Sequence, residues 1–353
     1  MSNFHPLAVK HVRNDTRDAI VVTFDVPPEL REPFRFTQGQ FLTLEADVGG
    51  EPVRRSYSIC SGVTDDTLRV AIKRVAGGAF SSWAHDTLKP GATVRVAPPD
   101  GRFHVPLEPG NAHHYLAFAA GSGITPVLSI IATTLAREPA SHFTLVYGNR
   151  ASSSVMFREE LQQLKDRYLD RLALIFVMSR EQQDIELLHG RIDRAKCAEL
   201  FRHWIDVSNV ETAFICGPEA MTRDVVEALA EAGVDRAKIK TEYFGVASGS
   251  TSAAARVTAA GDRTQVTLAF EGAQRTFDME RGEPILDAAL RHGIDVPYSC
   301  RSGVCGTCRA TLTAGEVDID VNYALEDYEI ARGAILMCQS YPVTATVAVS
   351  VDR

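Results

Sequence analysis

Over the first hundred residues, short apolar-rich runs are separated by turn residues: AIVVTFDV, FLTLEA, RSYSIC, LRVAIKRV and TVRVAPP. Runs of this length and β-forming content, repeated with turns between them, predict a small antiparallel β-barrel. From about His113 the rhythm changes. Apolar runs, YLAFAA, FTLVYG, LALIFVMS and TAFICG, now alternate with TPVLSIIATTLARE, MFREELQQLKDRY and PEAMTRDVVEALAEAG, which read as helices. Strand–helix alternation predicts a doubly wound parallel sheet, whose ligands bind beyond the carboxyl ends of the strands. A third pattern begins at residue 245. GVASGSTSAAARVTAAGDR draws 14 of its 19 residues from Gly, Ala, Ser and Thr. It cannot build a core and reads as a linker of about 24 Å r.m.s. span. Two further strands (QVTLAFEG, QRTFDM), a short helix (PILDAALRHG) and the closing strand TATVAVSV complete the chain. The expected domains are therefore 1–108, 109–245, a linker at 246–263, and 264–353.

Composition adds that the chain is of soluble globular type, with 45% hydrophobic and 23% charged residues among 353. The uncharged stretch Tyr115–Ala136 is long enough to span a bilayer, but Gly121, Ser122, Gly123, Thr125 and Pro126 in its middle predict strand, turn and helix instead. The amino terminus has no basic start followed by an apolar core. The expected location is the cytoplasm, where reducing conditions disfavour disulfides. Net charge is −8, and the segment from Thr264 onward holds 7 Arg against 13 Asp+Glu, a net −6. Nucleic acid is excluded as a partner by the lack of a basic patch, whereas a basic protein partner suits the acidic tail. Glu316, Asp318, Asp320, Glu326, Asp327 and Glu329 are the docking candidates, against the plainer reading of a solvated face.

Three cysteines fall within nine residues of CRSGVCGTCRATL: Cys300, Cys305 and Cys308, with Cys338 farther on. C-x4-C-x2-C with a distant fourth cysteine is the spacing of plant-type [2Fe–2S] centres. Gly303 and Gly306 suit the tight turns of a loop whose amides face inward. Structural zinc favours two close pairs, of which there is one here, and a disulfide staple is disfavoured by compartment. Both remain the competing readings, and zinc would make the chain a non-redox adaptor.

RRSYSIC reads either as an ordinary barrel strand with an Arg pair or as a flavin seat. In the second reading Arg55 meets the pyrophosphate, Tyr57 stacks on the isoalloxazine, and Ser56 and Ser58 lie along the same edge, Ser58 nearest N5. GGAFSSWA places Gly77 and Gly78 before an expected helix start at Ser81 and Ser82, where free amides suit a phosphate; Lys73 and Phe80 flank this seat. AAGSGITP follows a strand and opens a helix, so Gly121, Gly123, Thr125 and Pro126 form a candidate dinucleotide turn, although the third fingerprint glycine is missing. YGNR, MSR and CGP end the other strands. They bring Arg150, Ser179, Arg180, Cys216 and Gly217 toward the same crevice. Arg150 and Arg180 suit a 2′-phosphate, against the reading of solvated loop arginines, so NADPH is preferred to NADH without excluding it. Cys216, placed in a loop beside the nicotinamide, is a candidate catalytic residue with Ser58. Cys60 and Cys197 read as buried structural thiols. ELLH (Glu186–His189) matches half of a di-iron motif, but di-iron bundles need two such pairs and two further glutamates, so it reads as coincidence.

In this order, RRSYSIC, AAGSGITPVLSIIATTL, FTLVYGNR, LLHGRID, FICGP, ILDAAL and NYALE make the whole chain resemble ferredoxin–NADP reductase-type electron-transfer flavoproteins. LLHGRID and the Gly121 helix segment narrow the resemblance to the reductase subunits of multicomponent di-iron monooxygenases, the phenylacetyl-CoA epoxidase systems in particular. The resemblance implies an antiparallel FAD barrel, an α/β NAD(P) domain and a β-grasp ferredoxin. It implies FAD rather than FMN, held by Arg55, Tyr57, Ser58, Gly78 and Ser81, with Phe244 of TEYFGV covering the other flavin face. It assigns the cluster to Cys300, Cys305, Cys308 and Cys338. It further implies that NAD(P)H delivers two electrons to the flavin, which passes them singly through the cluster to separate oxygenase subunits; a reductase for another aromatic-ring hydroxylase is the alternative.

Overall fold

The computed structural model describes residues 4–244 and 263–352. The chain divides into two compact units, and one of them comprises residues 5–53 and 57–244. Its first part is built from β1 (His5–Thr16), β2 (Ala19–Asp25), β3 (Phe41–Val48), β4 (Glu51–Ser58), β5 (Leu68–Lys73), helix α1 (Ala79–Thr87) and β6 (Thr93–Val96). The strands run in the order β4-β3-β6-β1-β2-β5, and a bridge from Ile59 to Val70 joins the two end strands into a barrel. β2 explains its unbroken apolar run: Ile20, Val22 and Phe24 fill the barrel, while Ala19 and Val21 pack outward against the following domain. Both faces of this strand are buried, so its sequence loses the alternation of a half-exposed strand.

The second part consists of β7 (His114–Ala120), α2 (Ile124–Arg137), β8 (His142–Asn149), α3 (Arg158–Arg167), β9 (Leu172–Met178), α4 (Arg194–His203), β10 (Val210–Gly217), α5 (Glu219–Glu231) and β11 (Ile239–Tyr243). All five strands are parallel, in the order β11-β10-β7-β8-β9. The order reverses between β7 and β10, which makes that gap the topological switch point. The uncharged stretch from Tyr115 is strand, turn and helix as expected, and among the described residues no helix is long and apolar enough to cross a membrane. ELLH is not a helical metal motif: Glu186–Leu188 is one 3₁₀ turn. The barrel is fixed to this domain by the Arg69–Glu160 pair (Nη2–Oε2 3.0 Å) and by Ser129 Oγ donating to Ser61 O at 2.7 Å.

In the carboxy-terminal segment, β12 (Arg263–Phe270), β13 (Ala273–Glu280), β14 (Arg309–Ala314), β16 (Ala334–Leu336) and β18 (Thr346–Ser350) form one mixed sheet in the order β13-β12-β18-β14-β16. Helix α6 (Ile285–Arg291) contributes Ile285, Leu286, Ala288 and Ala289 to its core, and α7 (Asp327–Ile330) is a single turn. β15 (Val317–Ile319) and β17 (Ser340–Pro342) pair separately. This is the expected β-grasp fold. The linker expected at 246–263 lies, apart from Arg263, outside the described residues.

Candidate redox site

The barrel contributes the end of β4 and the start of α1. Tyr57, half-buried, rests on Phe80 with ring centroids 5.7 Å apart, and Phe80 in turn lies 5.2 Å from Trp83. Phe80 itself is 2% exposed and belongs to the barrel core. Its side chain therefore fixes the Tyr57 ring from behind. Arg55 is exposed on the same strand, its Nη1 donating to the Arg54 carbonyl, and Ser56 is partly exposed beside it. Helix α1 starts at Ala79, two residues earlier than the sequence suggested, with Gly78 as its N-cap and Gly77 at φ +72°. A Cβ on Gly78 would fall 2.6 Å from Ser81 Oγ. That hydroxyl is committed locally, accepting from Val75 N–H and donating to Gly78 O. A phosphate at this helix start would therefore meet backbone amides first.

The turn after β7 faces the turn after β10 across the switch point. Gly121 adopts φ +53°, its carbonyl accepts from Tyr147 Oη at 2.9 Å, and Lys73 Nζ would lie 3.9 Å from a Cβ placed on it. Lys73 is also 3.6 Å from Asp18. Gly123 is more tightly constrained, because a Cβ there would sit 2.0 Å from the Cys216 carbonyl. Gly217 is crowded in the same way by Met221 and Ala120. Thr125 and Pro126 are buried, and Thr125 Oγ1 donates to Ser122 O, so they shape the turn from inside and do not present side chains to a ligand. At the next two strand ends the ladder continues past the strands: Ser179 N–H donates to Asn149 O and Arg180 N–H to Arg150 O, both at 2.8 Å. The exposed Arg150 and Arg180 therefore leave adjacent chains.

Cys216 is not in a loop. It is the penultimate residue of β10, has no exposed surface, and burial raises its thiol pKa well above the ordinary range. It touches the site through its backbone and packing rather than as a reactive thiolate. Sequence reasoning passed over the residue paired with it, Glu242 on β11. Ser58 Oγ donates to Glu242 Oε2 at 3.2 Å, joining the end of the barrel strand to the edge of the parallel sheet. Desolvation pushes the Glu242 carboxyl up to about 8, with the Ser58 bond opposing the shift. The available signal was a lone acid inside the strand IKTEY. Phe244, 39% exposed, follows two residues later.

The four tail cysteines meet. Cys300 lies close enough to Cys305 and Cys338, and Cys338 to Cys308, for the thiols to perturb one another, and Ser302 N–H donates to Cys300 Sγ at 3.4 Å. Cys300 is drawn strongly toward the thiolate by the Cys305 and Cys338 thiols and by the Ser302 and Val304 amides, whereas Cys305 and Cys338 are pushed up by the same contacts and by burial. Gly303 has φ +75°, and a Cβ there would strike Val321 O at 2.4 Å; Gly306 has φ +71°. Among the described residues no three His, Cys, Asp or Glu side chains are arranged for a single metal ion. Four neighbouring cysteines, amide donors turned on Cys300 and a buried unpaired Thr307 hydroxyl fit a thiolate-held cluster in their donor chemistry. All seven cysteines are free, Cys60 and Cys197 being buried as expected. Among the acidic residues, Glu329 is corrected: it is buried, pairs with Arg309 Nη1 at 2.8 Å and caps α7.

Known families and proteins agree with this layout. An oxidoreductase FAD-binding domain matches residues 6–105, an oxidoreductase NAD-binding domain 118–227, and a 2Fe-2S iron-sulfur cluster binding domain 268–343. Phthalate dioxygenase reductase shares the fold, with TM-score 0.61 at 24% identity over 99% of this chain and 98% of that one. The corresponding subunit of the 1,2-phenylacetyl-CoA epoxidase of Escherichia coli K12 is 44% identical over 353 residues, covering 100% of this chain and 99% of the relative. The chain belongs to the family of phenylacetyl-CoA epoxidase reductase subunits. A 3-ketosteroid-9-alpha-monooxygenase ferredoxin reductase component of Rhodococcus rhodochrous, 36% identical over 96% of this chain, is a more distant member of the same reductase group.

The epoxidase-type reductase is thus an oxidoreductase and the electron-supplying component of an oxygenase system, with FAD, NAD(P) and [2Fe–2S] domains in that order. When bound, FAD supplies a centre that takes a hydride and releases electrons singly, and the cluster a one-electron relay. The chain's own part is positioning. Tyr57 and Phe244 are the rings that would bracket a bound flavin, the α1 amides would meet its phosphates, and Gly121 and Gly123, having no Cβ, would leave room for a dinucleotide against the sheet. Glu242 can hold or yield a proton at Oε2 next to Ser58 Oγ near neutral pH.

Proposed function

We propose that this reductase draws on NADPH and delivers electrons to the di-iron oxygenase subunits that epoxidise the ring of phenylacetyl-CoA, working in the cytoplasm. The observation that carries the partner assignment is the 44% identity over 100% of this chain and 99% of the Escherichia coli relative. NADPH is favoured over NADH by the adjacent arginines Arg150 and Arg180, whose guanidinium groups suit a 2′-phosphate. Seven unpaired cysteines accord with a reducing compartment.

The test is reconstitution. Purified holo-reductase, NADPH and the oxygenase subunits of a phenylacetyl-CoA epoxidase are expected to consume phenylacetyl-CoA with oxygen, and the mixture lacking the reductase is not. Reduction of an unrelated ring hydroxylase at equal or greater efficiency would remove the assignment. If kcat/KM for NADH equals or exceeds that for NADPH, the cofactor preference fails. Replacing Arg180 by Ala is expected to lower kcat/KM for NADPH about tenfold or more, the scale of a lost charge-assisted contact, with little change for NADH.

A further inference from the structure

Glu181 follows Arg180 directly at the exit of β9, and Arg180 is tied through its N–H to the Arg150 carbonyl at 2.8 Å. An acid set beside two exposed arginines has an ion pair within easy reach. It does not take one. Glu181 Oε2 accepts from Ser152 N–H at 2.8 Å, and Oε1 accepts from the Ser152 hydroxyl. Ser152 opens the 3₁₀ turn Ser152–Ser154 that follows β8, so the two bonds join the β8 exit to the β9 exit beyond the end of the sheet. Both donors of one residue are thus spent on one carboxylate. They hold it below its ordinary range, with a smaller pull from Arg158. Among the described residues, the Arg150 and Arg180 side chains make no ion pair or hydrogen bond. The acid is occupied and the two guanidinium groups beside it are not.

We propose, on the NADPH reading above, that Ser152 determines coenzyme selectivity by masking the Glu181 carboxylate, which leaves Arg150 and Arg180 for the 2′-phosphate. A free carboxylate at the end of such a strand suits the ribose 2′-hydroxyl of NADH, whereas arginine suits the 2′-phosphate of NADPH. Left unmasked, Glu181 would repel the phosphate and compete with it for the guanidinium groups. With one Ser152 donor on each oxygen, the acid faces the neighbouring loop instead. Ser152 is a positioning residue: it acts through Glu181 and needs no contact with the coenzyme.

The experiment is anaerobic stopped-flow reduction of the flavin in the full-length holoprotein, with NADPH and NADH varied separately to give a Kd and a limiting rate for each. Ser152→Ala is expected to raise the Kd for NADPH about fivefold, the scale of one exposed charge contact. Its limiting rates and its Kd for NADH are expected to stay within about twofold of the parent. Adding Glu181→Gln to Ser152→Ala removes the released charge and is expected to return the Kd for NADPH to within about twofold of the parent. A loop that had merely loosened would not be repaired by neutralising the acid. Ser152→Thr keeps the hydroxyl and is expected to match the parent. An unchanged Kd for NADPH in Ser152→Ala, or no recovery in the double variant, would overturn the proposal while leaving the NADPH reading intact. A parent protein that binds NADH as tightly as NADPH would overturn both.

Discussion

Glu242 and Ser58 show how a pair of side chains acquires chemistry from its surroundings. A carboxyl beside solvent is ionised at neutral pH, but Glu242 lies in the edge of a sheet and holds its proton to about pH 8. In the unfolded chain the same group ionises near 4.5. Between those values the folded protein binds the additional proton, so stability falls as pH rises through this window and is level on either side. Glu242→Gln cannot ionise. Its melting temperature is expected to change less between pH 5 and pH 8 than that of the parent, as thermal denaturation across that range would reveal; parallel curves would remove the inferred upward shift of the carboxyl. In turnover, the same variant is expected to lose about a hundredfold in kcat if the proton at Oε2 is used, the lower range for general acid–base groups. It should also lose the pH dependence that reports that group. Gly123 carries a steric constraint instead. With its Cβ position 2.0 Å from a backbone carbonyl, Gly123→Ala must push the β7 and β10 turns apart. The expected cost is about 1–3 kcal/mol, visible as a lower melting temperature together with a raised KM for the dinucleotide.

Elements differ in how clearly the chain announces them. The parallel strands β7, β8, β9 and β10 were evident because strands buried on both faces become apolar runs, and their helices because a long regular stretch separates each pair. β1 was not among the expected strands: HPLAVKHVRNDT alternates buried and exposed positions weakly, and its polar second half is held by pairing to β2 rather than by its own burial. α4 was missed for a similar reason, since only Cys197 and Leu200 of its ten residues are buried. β11 is five residues long with none fully buried, and this concealed Glu242 as well. The cysteine loop was the opposite case. Its spacing alone brought four cysteines forward as candidate ligands, and the structure adds a backbone reason for the shape of the loop: Gly303 at φ +75°, with a carbonyl where its Cβ would be. Gly303→Ala is therefore expected to cost cluster content, measured as iron per chain, while flavin content stays near that of the parent.

At the scale of the whole molecule, charge is unevenly distributed. The 90 residues from Thr264 carry net −6 of the total −8, and Glu316, Asp318, Glu326 and Asp327 are exposed. Tyr328, 56% exposed, and Ile330, 40% exposed, stand beside the last two. With Glu329 turned inward to Arg309, α7 presents acids and apolar side chains on its outer side and is anchored one residue from Cys308. A docking surface of this kind attracts a basic partner over a distance set by the ionic atmosphere, about 10 Å at 0.1 M salt and about 3 Å at 1 M. Electron delivery to the oxygenase is then expected to slow severalfold as salt rises across that range, with the change in the association rate. Transfer from NADPH to a small neutral acceptor should change far less, which separates docking from the internal steps. Glu326→Gln combined with Asp327→Asn should flatten the salt dependence without altering flavin reduction by NADPH. If the double variant keeps the full salt dependence, these acids are a solvated face and the partner approaches elsewhere.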